Sequence, residues 1–181
     1  GHFENLGIYE LVRRRCRYIV ASDAGQDGNC GFEDLGNAMR KCYTDFGVRI
    51  EIDVESMRPD EKTRSARRCF SVGQIHYPDG MTGTLIYLKP SLTEKTPADV
   101  LNYALQNMAF PHESTADQWF SEAQFESYRK LGYSMGMRLF GTAQSAALAR
   151  AGASQAQDPA WLFDLIAELN AEPASCTGTG A

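Results

Sequence analysis

A serine between glycines is the most direct candidate for a catalytic group. Gly132-Tyr133-Ser134-Met135-Gly136 matches the Gly-x-Ser-x-Gly pattern of serine hydrolases, in which a strand stops and the serine projects from a strained turn before a helix. Here the preceding residues predict a helix, and all three histidines precede Ser134, whereas an α/β-hydrolase places its histidine after the serine. Ser134 is therefore only a minor candidate nucleophile. The interpretation that fits better is a small-residue helix end, whose glycines allow a turn or close packing.

A second group of polar residues surrounds His112. A serine, a histidine and acids lie within His112-Glu113-Ser114-Thr115 and Asp117, but sequence neighbours do not force the geometry of a catalytic triad. A helix start explains the same residues better. Ser114 or Thr115 would cap the helix, and Gln118 follows Thr115 at the spacing of a capping box.

Metal and nucleotide chemistry have weaker support. No histidine and acid repeat at helical ligand spacing around His2, His76 or His112, so no metal is expected. Glycines 25, 28 and 31 lack the Gly-Lys-Ser/Thr ending of a phosphate loop. We therefore expect no cofactor.

The amino-terminal residues carry a family resemblance. Gly1-His2-Phe3-Glu4-Asn5-Leu6-Gly7 leads through residues 9–16 into the apolar run 18–21. This passage resembles the segment after the catalytic aspartate in patatin-like phospholipases, where an Asp-Gly-Gly or Asp-Gly-Ala turn leads through an Asn into a short helix and a buried strand. The likeness to bacterial members continues to about Gly136, through Phe32-Glu33-Asp34-Leu35-Gly36-Asn37-Ala38, Asp45-Phe46-Gly47-Val48 and Phe110-Pro111-His112-Glu113-Ser114-Thr115-Ala116-Asp117-Gln118.

The resemblance implies both a fold and an activity. The fold is an α/β three-layer sandwich with a central mixed sheet flanked by helices, of which this chain would be the C-terminal part. The activity is that of a serine acyl hydrolase acting on lipid esters without a cofactor, through a Ser–Asp dyad. Both dyad residues would lie upstream of residue 1, so the partners implied are the N-terminal portion of the same protein and a lipid ester. This chain alone is then expected to be inactive.

Three residues would support the dyad, on the same resemblance. Gly1 would keep the aspartate's turn tight, Asn5 would hydrogen-bond that turn or cap the helix behind it, and Asp23 would end a strand facing the same side. Each has an ordinary alternative, such as Asn5 as a plain helix cap and Asp23 as the first residue of a loop.

Two other classes of function stay open. The chain could be a non-catalytic interaction or effector module that keeps the fold and lacks the dyad. It could also be one piece of a cleaved enzyme whose two pieces stay together, which would leave an apolar surface where the partner's strands belong. The sequence upstream of residue 1 would discriminate between an enzyme and a module.

Composition excludes several partners and compartments. The formal charge of −5 and the pI near 5.2 argue against nucleic acid. Two arginine groups could meet anionic lipid headgroups, although solvated faces explain them better: Arg13, Arg14, Arg15 and Arg17, and Arg64, Arg67 and Arg68.

No apolar stretch approaches the roughly 20 residues that cross a bilayer, so any membrane contact is expected to be peripheral. Five dispersed cysteines without Cys-x-x-Cys spacing fit reduced thiols in the cytoplasm: Cys16, Cys30, Cys42, Cys69 and Cys176.

The elements that would position these residues follow from periodicity. Residues 17–23 are apolar on both faces, which predicts an interior strand with an upstream strand beside it. Alternation predicts an edge strand at 48–54, and residues 69–77 and 84–89 predict a hairpin around Pro78-Asp79-Gly80. Helices are expected after Asn5 and over 32–46. A third helix should run from a Thr96 cap, with Pro97 at the first helical position, to about residue 107, and a fourth should begin after residue 115 with Trp119 and Phe120 on its apolar side.

The predicted organisation is a family domain at 1–140, an Ala/Ser/Gly-rich connector at 141–157, a terminal helix at 158–170 and an unstructured tail at 171–181.

Overall fold

The computed structural model describes residues 3–141 and 159–171. Its helices and strands follow the chain in this order: α1 (Ile8–Arg13), β1 (Tyr18–Ser22), α2 (Glu33–Phe46), β2 (Arg49–Glu51), β3 (Phe70–His76), β4 (Thr82–Leu88), α3 (Ala98–Gln106), α4 (Glu122–Gly136) and α5 (Pro159–Ala171). A 3₁₀ turn lies at Glu55–Met57, and a π-helical turn at Met137–Gly141 continues α4.

The four strands form one mixed sheet in the order β1-β4-β3-β2. β1 runs parallel to β4, with Val20 opposite Ile86, and the other two pairings are antiparallel. The β3–β4 hairpin is confirmed, and Gly80 supplies the positive φ of 86° that its turn requires. The edge position predicted for β2 is also confirmed.

Helices cover both faces of the sheet because successive strand residues point to opposite sides. On one face Ile19, Ala21, Leu85 and Tyr87 pack in a buried cluster with apolar residues of α1 and α2. On the other face Ile86 and Leu88 pack with residues of α3, α4 and α5. The molecule is thus an α/β protein with a mixed sheet.

β1 forms the second edge of the sheet within the described residues. The apolar run 18–21 predicts a strand with a neighbour on each side, and β4 is the neighbour that the described part of the chain supplies. Val20 points to the face covered by α3, α4 and α5, yet 45% of its surface is exposed. An apolar side chain at this edge is therefore left uncovered.

The predicted start of α4 is wrong. The helix begins at Glu122, where Ser121 caps it by accepting a hydrogen bond from the amide of Gln124 at 3.2 Å. The side chains of Ser114 and Asp117 instead accept bonds from the amides two residues ahead, which stabilises turns in competition with a helix. Trp119 and Phe120 consequently lie exposed before the helix rather than on its apolar side.

The predicted caps of α1 and α3 are also wrong. α1 follows Gly7, which has a φ of 73°, and Glu4 rather than Asn5 accepts the amide of Leu6 at 2.7 Å. The hydroxyl of Thr96 accepts the amide of Thr93 at 2.8 Å, so it does not cap α3. Pro97 precedes the first helical residue instead of occupying it.

Several sequence predictions lie outside the described residues. They concern Gly1, Cys176, nearly all of the connector at 141–157 and the tail from residue 172. The terminal helix predicted at 158–170 is present as α5.

Candidate functional site: a buried charged cluster at the carboxyl ends of β1 and β4

Two charged side chains follow the parallel strands β1 and β4, both at the carboxyl ends of these strands. Asp23 comes directly after β1 and Lys89 directly after β4, and the Asp23 amide donates to the Leu88 carbonyl at 2.9 Å. Both side chains are enclosed, with exposed fractions of 1% for Asp23 and 2% for Lys89. Charges buried to this degree are rare unless they are paired.

The pairing involves two carboxylates around one ammonium. Asp23 Oδ2 accepts hydrogen bonds from Lys89 Nζ at 2.9 Å and from the Tyr87 hydroxyl, while its Oδ1 accepts the Gly25 amide at 2.9 Å. Asp27 Oδ2 lies 3.5 Å from Lys89 Nζ. We call Asp23, Asp27, Tyr87 and Lys89 the charged cluster.

Burial and neighbouring groups shift the pKa values of Asp27 and Tyr87 in this cluster. Burial would raise the pKa of Asp27, but amide bonds from Gly31 and Phe32 and the charge of Lys89 outweigh it, so this pKa is lowered. Burial, followed by the hydrogen bond to Asp23, raises the pKa of Tyr87. Asp27 therefore stays ionised and Tyr87 stays a neutral hydrogen-bond donor around neutral pH.

The loop between β1 and α2 is shaped around this cluster. Cys30 and Phe32 have left-handed φ values of 47° and 54°, which are uncommon for residues with a side chain. A Cβ added to Gly25 would lie 3.0 Å from Asp34 Oδ2 and 3.1 Å from Asp23 Oδ1, so the carboxylates leave little space for a side chain there. The loop thus brings Asp34 close to Asp23, at the carboxyl ends of β1 and β4.

Asn5 reaches the same place from the amino-terminal segment. Its Nδ2 lies 3.2 Å from both carboxylate oxygens of Asp34. Asn5 bonds to Asp34, and Asp34 and Asp23 both lie beside Gly25. Two of the three support residues predicted from the sequence, Asn5 and Asp23, therefore lie near each other at the carboxyl ends of β1 and β4. The third, Gly1, lies outside the described residues.

A cavity of about 560 Å³ opens beside the loop. Its apolar lining includes Met57, Leu92 and Phe110, and its polar lining includes Cys30 and His112. Arg64 holds the wall at 108–110, because its guanidinium donates to the carbonyls of Met108 and Phe110 at 2.8 and 2.9 Å. The interpretation of Arg64 as part of a solvated face is therefore wrong.

Cys30 and His112 contact each other in this cavity, with Sγ 3.8 Å from Nε2. Burial, then the charge of Asp27, raises the pKa of the Cys30 thiol. Burial, then the charge of Lys89, lowers the pKa of His112. Both groups are therefore uncharged at neutral pH, whereas an activated cysteine nucleophile requires a thiolate.

The residues around His112 do not form a Ser/His/acid group. His112 turns toward Cys30, while Glu113 accepts hydrogen bonds from the Tyr103 hydroxyl and from Gln124 Nε2, both at 3.2 Å. Asp117 Oδ2 also faces Gln124 Nε2, at 3.4 Å. The two acids therefore fasten the loop before α4 to that helix.

Ser134 lies within the last turn of α4. The whole Gly-x-Ser-x-Gly motif is helical, so the strained elbow between a strand and a helix is absent at this serine. No atom of the described residues lies within 4 Å of a Cβ added to Gly132 or Gly136, and neither glycine has a positive φ. The predicted helix end is confirmed, since α4 ends at Gly136 and a π-helical turn follows, whereas the close packing expected at the glycines is not seen among the described residues.

Sequence reasoning missed three members of the charged cluster: Asp27, Tyr87 and Lys89. A signal for Lys89 does exist, since it ends the apolar run 85–88 of a strand that pairs with β1. Placing it beside Asp23 requires the parallel pairing of β1 and β4, which sequence periodicity does not reveal.

Residues 3–141 and 159–171 contain neither a metal-binding cluster nor a membrane-spanning helix. No group of three or more His, Cys, Asp or Glu side chains in these ranges could hold a metal ion. No helix in the same ranges is long and apolar enough to cross a membrane. Comparisons with protein-family models, curated proteins and solved structures find no match for the chain.

Proposed function

We propose that this chain is the C-terminal portion of a bacterial patatin-like serine acyl hydrolase that acts on lipid esters, with the nucleophilic serine and catalytic aspartate upstream of residue 1. The observation that carries the proposal is the convergence of Asn5 and Asp23 at the carboxyl ends of β1 and β4. In open α/β sheets ligands bind outside the carboxyl ends of the strands. The support residues named by the resemblance therefore meet where a site is expected.

The fixed position of the amino-terminal segment also supports the proposal. Phe3 is held against α2, because its carbonyl accepts hydrogen bonds from Asn37 Nδ2 at 3.2 Å and from Lys41 Nζ. Asn5 is fixed by Asp34. An aspartate just before Gly1 would then enter the site from a segment anchored at two points.

The uncovered edge of β1 fits an upstream strand. Such a strand would pair with β1, and a following helix would cover Val20. The N-terminal portion of the same protein is thus the partner in this proposal. The free thiols of Cys16, Cys30, Cys42 and Cys69 fit a cytoplasmic location.

The chain alone should be inactive. The Cys30–His112 pair is uncharged, and Ser134 lies in a regular helical turn. A dyad aspartate must take the proton of a serine while backbone amides bind the oxyanion, and the proposal assigns all three parts to upstream sequence.

A fluorophosphonate probe tests the proposal. The longer protein that contains this chain should form an adduct with an upstream serine, mapped by peptide mass spectrometry, and Ser134→Ala should label equally. The isolated chain of residues 1–181 should neither label nor hydrolyse a short-chain ester. An adduct on Ser134, or ester hydrolysis by the isolated chain that Ser134→Ala abolishes, would refute it.

The second candidate is a non-catalytic interaction module with the same fold. The exposed Trp119, Phe120 and Phe125 favour it, since large exposed apolar residues that lie together mark contact surfaces. No adduct on any serine of the longer protein would favour this module over the hydrolase.

A further inference from the structure

Five exposed apolar side chains lie at one end of the α3–α4 pair. Lys130 Nζ, in the second half of α4, lies 2.6 Å from Asp99 Oδ2 in the first turn of α3. Tyr103 in the second half of α3 and Gln124 in the first turn of α4 both bond to Glu113, so the two helices run antiparallel. The end of α3 and the beginning of α4 therefore share the opposite end. The residues exposed there, which we call the aromatic surface, are Leu105, Met108, Trp119, Phe120 and Phe125.

The exposure of Trp119 is built into the loop before α4. Its amide donates to Asp117 Oδ1 at 3.1 Å, and two residues later Ser121 caps the helix. Gln124 and Glu113 tie the helix to the beginning of the loop. These bonds hold Trp119 with 92% of its surface exposed, although an indole ring gains by leaving water.

The aromatic surface adjoins the cavity beside the charged cluster. Met108 belongs to both, since it is exposed and also lines the cavity wall held by Arg64. A layer in contact with the aromatic surface would thus lie next to the cavity that opens beside Cys30 and His112.

The charged residues beside the aromatic surface indicate which kind of partner it would bind. Asp117 and Glu122 are exposed carboxylates beside Trp119 and Phe120, and Glu126 lies one turn further along α4, paired with Arg129. Arg64, the basic group at Met108, donates to the carbonyls of Met108 and Phe110. Carboxylates repel anionic lipid, whereas a quaternary ammonium is attracted both to carboxylates and to aromatic ring faces. Tryptophan also prefers the headgroup region of a bilayer.

We propose that the aromatic surface docks on a neutral, phosphocholine-rich lipid surface, an assignment that rests on the proposed lipid ester hydrolase. Trp119 and Phe120 enter the headgroup layer, and Asp117 and Glu122 face choline groups. Docking places the cavity next to the lipid layer. Arg13, Arg14 and Arg15 take no part, because Arg13 and Arg14 are paired with Glu10 and Arg15 with Asp79.

Vesicle flotation of the full 181-residue chain tests this surface. The chain should float with phosphatidylcholine vesicles and bind phosphatidylglycerol vesicles less well. The double variant Trp119→Ala/Phe120→Ala should weaken phosphatidylcholine binding roughly tenfold or more, because two buried rings are lost. Tyr43→Ala is the matched control, since Tyr43 is 61% exposed on α2, on the other face of the sheet, and should bind as the original chain does.

Tryptophan fluorescence gives a second readout. Vesicles should shift the emission of the chain to shorter wavelength, and Trp119→Phe should remove that shift, because the remaining Trp161 packs against the apolar cluster beneath α5. Circular dichroism spectra that match the original chain would show that the variants fold.

The assignment would be overturned if the double variant bound phosphatidylcholine vesicles as well as the original chain does, or if the chain preferred phosphatidylglycerol vesicles. It would also be overturned if the chain dimerised without lipid in a way that depends on Trp119, since a second copy of the chain would then occupy the surface. Labelling of an upstream serine without vesicle binding refutes the docking surface alone. Vesicle binding that depends on Trp119, without any serine adduct, refutes the hydrolase and leaves the lipid surface.

Discussion

The charged cluster and the aromatic surface depart from the usual distribution of side chains in opposite ways. The cluster buries the carboxylate of Asp23 and the ammonium of Lys89 and partly buries Asp27, whereas the aromatic surface leaves Trp119 and Phe120 in water. Buried polar and exposed large apolar groups are the informative exceptions in a protein. The cavity is lined by Met108 of the aromatic surface and by Gln26 and Gly28, which flank Asp27 of the charged cluster, so it lies next to both regions.

The two regions should differ in their effect on stability. Each charge in the cluster depends on its partner, because removal of one partner leaves another charge buried without compensation. An exposed ring contributes little to the folded state, so its loss should change binding and not stability.

Lys89→Met should destabilise the protein by about 3–5 kcal/mol, because the carboxylates of Asp23 and Asp27 would lose their ammonium. Urea unfolding measures the loss. The matched control is Lys130→Met, whose exposed pair with Asp99 should contribute about 0–1 kcal/mol. Equal effects of the two variants would contradict a buried, mutually dependent cluster.

Tyr87→Phe should destabilise by about 1.5–3 kcal/mol, since it removes a hydrogen bond to the buried carboxylate of Asp23. Tyr9→Phe is the control, because the Tyr9 hydroxyl bonds to Asp45 near the surface, and its effect on urea unfolding should be smaller. A loss for Tyr87→Phe no larger than for Tyr9→Phe would count against the cluster.

Asp27 should make stability depend on pH in acid. Its pKa in the folded state is lowered, so its ionised form stabilises the fold above the unfolded value of about 4, and this contribution is lost as pH falls through the folded pKa. Urea midpoints measured from pH 6 downward should therefore fall more steeply for the original chain than for Asp27→Asn. Parallel curves would show that Asp27 has no part in the acid loss.

Trp119→Ala should change the free energy of unfolding by no more than about 0.5 kcal/mol, as an exposed substitution does. Leu131→Ala, in the core between α4 and the sheet, provides the contrast and should cost about 2–5 kcal/mol. A large loss for Trp119→Ala would mean that the ring is part of the folded core.

Sequence periodicity predicts much of this fold. The hairpin at Pro78-Asp79-Gly80, the helix α2 and the terminal helix α5 lie where turn residues, helix-start signals and apolar spacing place them, and β2 lies at the predicted edge, although it covers only Arg49–Glu51 of the predicted 48–54. Each is determined by local chemistry, such as turn residues or the alternation of side chains. These signals need no knowledge of distant partners.

The errors and omissions have a different cause. Thr115 fails as a cap because Ser114 and Asp117 form competing turns, and Asn5 fails because Asp34, far along the chain, takes its side chain. Lys89 is recognisable as part of a site only once β1 and β4 pair in parallel. Long-range pairings of this kind decide the site, and they leave no periodic trace in the sequence.

The proposed hydrolase has its upstream serine at the carboxyl ends of β1 and β4. The most direct test of this position is a fluorophosphonate that carries a short photoreactive group, reacted with the longer protein, irradiated and mapped by mass spectrometry. We expect crosslinks from the labelled serine to residues 3–7 or to the loop at 23–32. Crosslinks confined to the opposite edge, around β2 and the end of α2, would contradict it.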